Sequence, residues 1–424
     1  MEGIYLEEKL LSILKNQVVK ALGCTEPAAV ALAVARAREI LNEEIENLEV
    51  YVNANVLKNG MCVGIPYTNE KGLVMACAIA MIQGKSSDGL EVLNNVDEST
   101  LQLAKNNISE DKIKLKVDFE KDFFYIDVRA YSKDNYSQVI IRENHTNICY
   151  ESLNDNIIKN ETSSENKIDL KYEIKNYDID DLVHFSRTVD IDKINFIKEG
   201  IDINLNLAQI GATKDLGIAL SKVYMKDIDD VYKKAKALTV CASEARMSGY
   251  PLSVMSSAGS GNHGLVAIIP LAVIGEGHEK SEEEIIRAVT LSHLVTIYVK
   301  SHIGTLTPIC GCSVASGVGL SAGLTMLENG NDKEIKASIN NTLAGISGMF
   351  CDGAKEGCAY KLSISVTAAI EASNLARAGV TIPYDNGILG KTAEKSIENL
   401  HKVISNGMKN VDREILEIML EKLN

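Results

Sequence analysis

Four long stretches in the second half of the chain are apolar on nearly every face of a helix. They span residues 251–274, 282–299, 306–327 and 363–378. A helix that is apolar all round is stable only when its whole surface is buried, so these stretches predict a bundle of packed helices. Because Trp is absent and only 5% of the residues are aromatic, this core must be built mainly from Ala, Val, Ile and Leu.

The first half of the chain follows a different pattern. Residues 112–152 alternate between apolar and polar side chains in runs separated by Lys-Asp and Asp-Asn turns, which predicts an antiparallel meander. A further alternating run at 48–56 predicts another strand, and helices are expected before and after it, at 6–41 and 72–84. This half is therefore predicted to combine antiparallel strands with helices.

A polar segment separates the two patterns. Residues 154–167 are rich in Asn, Glu, Ser and Lys, a composition typical of loops. We therefore predict an α+β domain at residues 1–165, followed by an all-α helical domain at residues 166–424. A chain of 424 residues is long enough for two or three domains.

The charge and hydropathy of the chain limit its partners. The formal net charge is −14 at pH 7, whereas nucleic-acid-binding proteins usually carry a basic surface. The longest apolar stretches fall short of the roughly 20 residues that cross a bilayer, and Glu2, Glu7 and Glu8 are unlike the basic start of a signal peptide. We predict a cytoplasmic protein that acts on a small molecule, with no nucleic-acid or membrane partner.

Four of the nine cysteines lie in two glycine-rich segments. Cys310 and Cys312 flank a single Gly, while Cys351 and Cys358 bound the second segment. In a reducing cytosol such residues are thiols or metal ligands, and thiolates are preferred ligands of zinc and of iron-sulfur clusters. Three ligands would leave one metal position open for catalysis, as a Lewis acid requires. Alternatively, these are small buried residues between tightly packed helices.

Cys24 is a second candidate. It lies just before a predicted helix N-terminus, where the helix dipole and free N–H groups lower the pKa of a thiol. Glu26 follows two positions later, so a thiol and a carboxylate could share one proton-handling site. The alternative is a buried Cys next to a solvated Glu in the first helical turn.

The glycine- and serine-rich residues 256–264 are a third candidate. Consecutive glycines and hydroxyl side chains between apolar segments can form a nest of backbone N–H groups that binds a carboxylate or a phosphate. Asn262 and His263 add directional donors, and an imidazole at His263 could transfer a proton at neutral pH. A structural loop between two buried segments explains the same residues.

Asn53 and Asn55 form a polar pair within the predicted strand at 48–56. Side chains two residues apart point to the same face of a strand, and Asn is depleted in strands. The pair therefore suggests polar contacts to a ligand or a neighbouring loop, although a solvated edge strand explains it as well.

Four motifs occur in one order along the chain. They are Gly-Cys-Thr-Glu-Pro at 23–27, Ser-Ala-Gly-Ser-Gly-Asn-His-Gly at 257–264, Gly-Thr-Leu-Thr-Pro-Ile-Cys-Gly-Cys at 304–312, and Cys-Asp-Gly-Ala-Lys at 351–355 with Cys358. Together they resemble the L-cysteine desulfidase family, which is related to the iron-sulfur-dependent bacterial L-serine dehydratases. The resemblance extends over residues 7–378, nearly the whole chain.

The resemblance implies a fold and a cofactor. The N-terminal α/β domain would resemble the β domain of the dehydratases, and the helical domain would hold a [4Fe-4S] cluster through three cysteines. Cys351 and Cys358 match two of those ligands. Cys310 is preferred as the third, because the dehydratase ligand precedes a glycine and a run of small residues, and Cys312 is the alternative.

The resemblance also implies a reaction. Cys24 stands where the family is inferred to have the base that acts on the substrate α-proton. L-cysteine and water would give hydrogen sulfide, pyruvate and ammonia, with a Cys24 thiolate removing the Cα proton and sulfide leaving from an open iron. The predicted catalytic residues are Cys24, Glu26 and His263. The predicted substrate-binding residues are Asn53, Asn55, Ser257, Gly259, Ser260 and Asn262.

Two other functions remain possible at this point. One is a [4Fe-4S]-dependent L-serine or L-threonine dehydratase of the same fold, although a thiol at Cys24 in place of a serine-rich motif favours the desulfidase. The other is a non-catalytic protein that binds zinc or handles sulfur through structural cysteines. An acidic surface combined with so much apolar helix further predicts a homodimer.

Overall fold

A computed structural model describes residues 2–121, 124–161, 170–304 and 306–422. In the first 161 residues the described helices are α1 (Glu2–Gln17), α2 (Thr25–Leu41), α3 (Ala54–Gly60), α4 (Leu73–Ala80) and α5 (Glu98–Ser109), with a 3₁₀ helix at Ser86–Glu91. The strands there are β1 (Lys20–Leu22), β2 (Asn47–Asn53), β3 (Ile113–Asp118), β4 (Tyr125–Tyr131), β5 (Tyr136–Arg142), β6 (Ile148–Leu153) and β7 (Asn156–Asn160).

Helices predominate in the rest of the described chain. After a 3₁₀ helix at Leu170–Asn176 come α6 (Ile179–Thr188), α7 (Ile191–Ile194), α8 (Phe196–Thr213), α9 (Leu220–Tyr224), α10 (Val231–Met247), strand β8 (Ser253–Met255), α11 (Gly261–Gly277), α12 (Glu282–Ile303), α13 (Val314–Leu327), α14 (Asp332–Ile346), α15 (Cys358–Arg377), α16 (Ala393–Gly407) and α17 (Val411–Glu421). None of the described helices is long and apolar enough to cross a membrane.

The first part of the chain contains one large sheet. Its strand order is β3-β2-β4-β5-β6-β7, with β2 and β3 parallel and the other neighbours antiparallel. Leu48, Val50 and Val52 alternate along β2 and are fully buried, as a strand with one face on a core requires. Helix α2 packs against β4 and β5 and closes that core. The antiparallel meander predicted over 112–152 is confirmed for β4, β5 and β6. It is wrong for β3, which pairs parallel with β2 at the edge of the sheet.

The second part is built on buried helices. Helices α11, α12 and α13 pack on one another, and their side chains are buried almost throughout, which confirms the bundle predicted from their all-round apolar surfaces. Small residues allow the helices to approach closely. A Cβ atom at Gly319 of α13 would lie only 2.3 Å from the carbonyl oxygen of Ser292 in α12, so a larger residue there would separate the two helices.

Each end of the chain packs against the part formed by the other half of the sequence. Helix α1 contributes Leu10, Ile13 and Leu14 to the core of the helical part, and β1 pairs antiparallel with β8. At the other end, α17 packs against α3, and Leu416 belongs to the core of the α/β part. The predicted boundary between residues 165 and 166 falls outside the described residues and stays a prediction.

Some predicted elements begin or end elsewhere in the structure. The helix predicted at 251–274 begins only at Gly261, after strand β8 and a loop. The strand predicted at 48–56 ends at Asn53, where the chain turns into the short helix α3. The helix predicted at 306–327 begins only at Val314, because Pro308 lacks a backbone N–H and disfavours helical geometry in the residue before it.

Candidate active site

The motifs predicted from the sequence meet in one cavity, which we call the thiol cavity. It offers about 80 Å³, enough for several atoms of a bound group. The predicted residues that line it are Cys24, Glu26, Gly259, Ser260, Asn262, His263, Cys310, Cys312, Cys351 and Cys358. The packing of the chain ends brings these segments together, since β1 leads directly into Cys24 and its partner β8 leads into the loop before α11.

Cys24 is the N-cap of α2 and lies beside Glu26. Its thiol donates to the Glu26 carboxylate over 3.0 Å, and the Thr25 hydroxyl donates to the same oxygen over 3.1 Å. His145, in the turn between β5 and β6, places Nε2 3.7 Å from the other carboxylate oxygen. Cys24, Glu26 and His145 are all buried. The structure therefore forms the thiol–carboxylate pair that the sequence indicated.

The proton of this pair resides on sulfur. Burial alone would raise the pKa of Glu26, but the neighbouring His145 and the donating Cys24 thiol lower it to about 2. The pKa of Cys24 lies well above its ordinary value, because the thiol is buried and faces the Glu26 carboxylate. The expectation that the helix N-terminus lowers this pKa is wrong here, since burial and the adjacent negative charge outweigh the helix dipole.

Backbone hydrogen bonds fix the loop before α11 in place. The amides of Ser257 and Ser260 bond to each other's carbonyl oxygens over 3.1 Å, and the amide of Ala258 bonds to the carbonyl of Gln17. These amides therefore do not form the open nest that the sequence suggested. The first turn of α11, which begins at Gly261, is the part of this motif whose amides can still face an anion.

His263 lies in that first turn and is held in one tautomer. Its Nδ1 donates to the carbonyl of Ser257 over 2.9 Å, which leaves Nε2 as an acceptor. Nε2 faces Gly311, where an added Cβ would lie 2.7 Å away. Burial and the nearby Lys300 lower the pKa of His263 to about 3, so the expectation that it titrates near neutral pH is wrong. The neutral ring can instead accept a hydrogen bond.

Only some of the residues predicted to bind substrate line the thiol cavity. Gly259, Ser260 and Asn262 line the thiol cavity, whereas Ser257 is buried behind it and contacts His293 through its hydroxyl, 2.9 Å from Nδ1. Ser257 therefore supports the two imidazoles and does not face the cavity.

Asn53 and Asn55 lie outside the cavity lining. Asn53 caps α3 by accepting from the amide of Val56 over 3.3 Å, and Asn55, already in the helix, donates to Asp412 over 2.9 Å. The prediction that they share one strand face is wrong because the strand ends between them. Asn59, at the end of the same helix, lines the cavity instead, with Oδ1 3.7 Å from Cys351 Sγ.

The two cysteine segments are joined by backbone hydrogen bonds. The amide of Cys310 donates to the carbonyl of Met349 over 2.7 Å, and the amide of Cys351 donates to the carbonyl of Pro308 over 2.8 Å. Cys358 begins α15 and also lines the cavity, and its thiol donates to the carbonyl of Gly353 over 3.6 Å. Cys312 points toward the loop before α11, with Sγ 3.6 Å from the Ser260 hydroxyl.

The four thiols have different proton affinities. Burial raises the pKa of Cys358 to about 12 and also raises that of Cys351. Cys310 and Cys312 interact directly, so the donating Cys312 thiol lowers the pKa of Cys310 while that of Cys312 rises. Cys310 is therefore the thiol of this set that ionises first.

The cavity offers the kind of ligand that an iron-sulfur cluster takes. Within the described ranges, no group of three or more His, Cys, Asp or Glu side chains is arranged to hold one metal ion. A cluster spans several irons and accepts thiolates that are spread around a cavity, and sulfur is the ligand such irons prefer. Four cysteines around one cavity supply that kind of ligand.

Several lining residues were not predicted from the sequence. They are Asn59, His145, Arg246 and Lys300. His145 occupies an ordinary hairpin turn, and no local spacing relates it to Cys24. Arg246 and Lys300 did carry a weak signal, because each is a cation near the C-terminal end of a helix whose other residues there are mostly small or apolar.

Comparison with known families places the chain among the iron-sulfur serine dehydratase-like proteins, a class of lyases. Residues 87–417 match the family described as "Serine dehydratase alpha chain". The chain is 52% identical over 415 residues to the UPF0597 protein of Caldanaerobacter subterraneus subsp. tengcongensis, covering 97% of this chain and 98% of that protein. It is 50% identical over 420 residues to the UPF0597 protein of Clostridium tetani, covering 99% of each. The chain belongs to the serine dehydratase alpha chain family.

Proposed function

We propose that the protein is a [4Fe-4S]-dependent L-cysteine desulfidase that converts L-cysteine and water into hydrogen sulfide, pyruvate and ammonia. The observation that supports this most directly is the pair of Cys24 and Glu26, which faces the same cavity as four further cysteines. A group that accepts a proton from carbon beside a site for a soft metal is what elimination of sulfide requires.

Cys310, Cys351 and Cys358 would hold the cluster. When bound, the cluster supplies a Lewis-acidic iron that makes sulfide a better leaving group. Cys310 is preferred over Cys312 because its amide is hydrogen-bonded to the segment that leads into Cys351. Cys312 is directed to Ser260 and stands between the ligands and the loop before α11.

Cys24 would remove the proton from Cα, with Glu26 as the group that accepts the thiol proton. The sulfur carries a proton in the resting site, and the Glu26 carboxylate is ionised and 3.0 Å away. In the free site, transfer of that proton to Glu26 is strongly uphill, because the pKa of Glu26 is about 2 and that of Cys24 lies well above its ordinary value. The negative charge of a bound substrate carboxylate would raise the pKa of Glu26 and make it a better proton acceptor. The thiolate left after the transfer takes the Cα proton as sulfide departs. The aminoacrylate that forms then tautomerises and hydrolyses to pyruvate and ammonia. His263 Nε2 is an acceptor that suits the substrate ammonium.

The test measures sulfide release from L-cysteine and pyruvate release from L-serine by the anaerobically reconstituted protein. Sulfide should be released from L-cysteine, and the Cys24→Ala variant should lose at least about 100-fold of this rate while keeping the visible absorption of the cluster. Cys351→Ala and Cys358→Ala should lose the absorption itself. A Cys24→Ala variant with full activity would remove this thiol from the mechanism.

The family description favours a second candidate, a serine dehydratase. It makes pyruvate from L-serine, and the same assay separates the two reactions. Pyruvate from L-serine without sulfide from L-cysteine would replace the desulfidase by the dehydratase. Uptake of zinc in place of an absorbing cluster, without turnover of either substrate, would favour a non-catalytic protein. The homodimer and the cytoplasmic location stay predictions.

A further inference from the structure

Arg246 is a buried cation that borders the thiol cavity. It lies in the last turn of α10 and is 2% exposed. One terminal nitrogen donates to the side-chain oxygen of Asn262 over 3.1 Å, and the other donates to the carbonyl of Gly23 over 2.7 Å. Both acceptors are uncharged, so neither balances the positive charge of the guanidinium.

The Arg246 guanidinium has N–H donors that these two contacts do not use. It carries five N–H bonds, two of which these contacts use, and Nε has no hydrogen-bond partner in the part of the chain that the structure describes. The buried Lys58 forms an ion pair with Asp412, and the partly buried Lys361 forms one with Asp352, but no described carboxylate pairs with Arg246. An unpaired buried charge is strongly unfavourable, which points to an anionic partner that enters from the cavity.

The surrounding backbone is shaped to hold this side chain. A Cβ atom at Gly261 would lie 2.3 Å from Arg246 Nε, so only glycine lets the guanidinium rest against the first turn of α11. The positive end of that helix and the guanidinium therefore adjoin each other. A carboxylate suits both, because it accepts paired hydrogen bonds from an arginine and is attracted to a helix N-terminus.

We propose that Arg246 binds the α-carboxylate of the amino-acid substrate. The inference rests on the proposed function only in taking the thiol cavity as the substrate site, since L-cysteine and L-serine share this carboxylate. Arg246 also contacts the carbonyl of Gly23, the residue before Cys24. A carboxylate held there places the adjacent Cα next to the Cys24–Glu26 pair.

Two unreactive ligands test the proposal by calorimetry on the reconstituted holoenzyme. L-alanine has the carboxylate and ammonium of the substrate but no leaving group, and L-alaninamide lacks the carboxylate. Arg246→Gln should weaken L-alanine binding by about 30-fold or more, as loss of one partner of a buried charge pair does, and should change L-alaninamide binding by less than about threefold. Arg246→Lys, which keeps the charge without the planar fork, should fall between.

Arg38→Gln is the matched control. Like Arg246, the Arg38 guanidinium bonds to uncharged oxygens, in this case the backbone carbonyls of Ala80, Gln83 and Gly84. It lies away from the cavity, so its loss should leave L-alanine binding unchanged. Cluster absorption and thermal unfolding show whether each variant is intact. Equal losses for both ligands, no loss for either, or no binding of L-alanine to the unmodified protein would overturn the assignment. Failure of L-cysteine turnover with the predicted alanine result would overturn only the desulfidase reaction.

Discussion

Cys24 and Glu26 hold one proton between two buried groups. The carboxylate receives hydrogen bonds from Cys24 and Thr25 and lies 3.7 Å from His145, which offsets the cost of burying its charge. The thiol has no comparable support for a negative charge. The sulfur can therefore act as a base only after its proton has moved to Glu26, and catalysis in this site depends on the carboxylate as much as on the thiol.

Glu26→Gln tests that dependence. The amide has nearly the shape of the carboxylate but cannot take up a proton, so sulfide release from L-cysteine should fall by about 100-fold or more with cluster absorption unchanged. The pKa of Glu26 is about 2, so it stays ionised down to that pH, and loss of activity between roughly pH 7 and pH 5 would come from another group. Steady-state rates across this range measure both effects.

Glu39→Gln serves as the comparison for this variant. Glu39 lies on the same helix but binds Arg36 and Ser86, away from the cavity, so its substitution should leave the rate unaltered. A Glu26→Gln variant with a normal rate would mean that the Cys24 proton leaves by another route.

At the level of elements, the periodicity of apolar residues predicted the buried helices and strands. It missed short elements that form only through contacts with distant segments of the chain. The apolar stretches at 282–299 and 363–378 are helices where the sequence predicted them, and β4, β5 and β6 form the predicted meander, because each pattern is a direct consequence of burial on particular faces. Helix α3 was missed because it continues directly from β2, and it packs mainly against α17 at the other end of the chain. Strand β8 has only three residues and exists through its pairing with β1.

Helices α3 and α17 together support one of the predicted cluster ligands. Lys58 of α3 is completely buried; its Nζ donates to the carbonyl of Cys351 over 2.9 Å and pairs with Asp412 of α17. Lys58→Met should lower the free energy of unfolding by about 2 kcal/mol, since the partly buried Asp412 keeps only its hydrogen bond from Asn55 and the carbonyl of Cys351 loses its donor. Urea unfolding measures this loss, and the variant should also release iron faster in the presence of a chelator.

An exposed ion pair near the same segment supplies the control. Lys71 and Glu356 are 3.1 Å apart with the Lys71 side chain 48% exposed, so Lys71→Met should cost less than about 1 kcal/mol. If Lys58→Met loses stability but retains iron as long as the unmodified protein, α17 stabilises the fold without supporting the cluster site.

At the scale of the whole molecule, the site exists because segments far apart in sequence meet. The hydroxyl of Thr25 lies 3.4 Å from the carbonyl of Gly259, 234 residues away. Each motif could be recognised locally, as Cys24 and the cysteine segments were. Arg246 and His145 could not, because their roles come only from what the fold places opposite them.

The packing of the chain ends leads to a final prediction about cooperativity. Leu14 lies near the start of the chain, yet it is fully buried in the core of the helical part. Leu14→Ala should therefore lower the free energy of unfolding by about 3 kcal/mol through the cavity it leaves. Hydrogen exchange should show lost protection first in α6 and α12, which α1 contacts, and not in the sheet from β2 to β6. The exposed Leu103→Ala should change neither quantity, and protection lost mainly in the sheet would show that α1 does not stabilise the helical part.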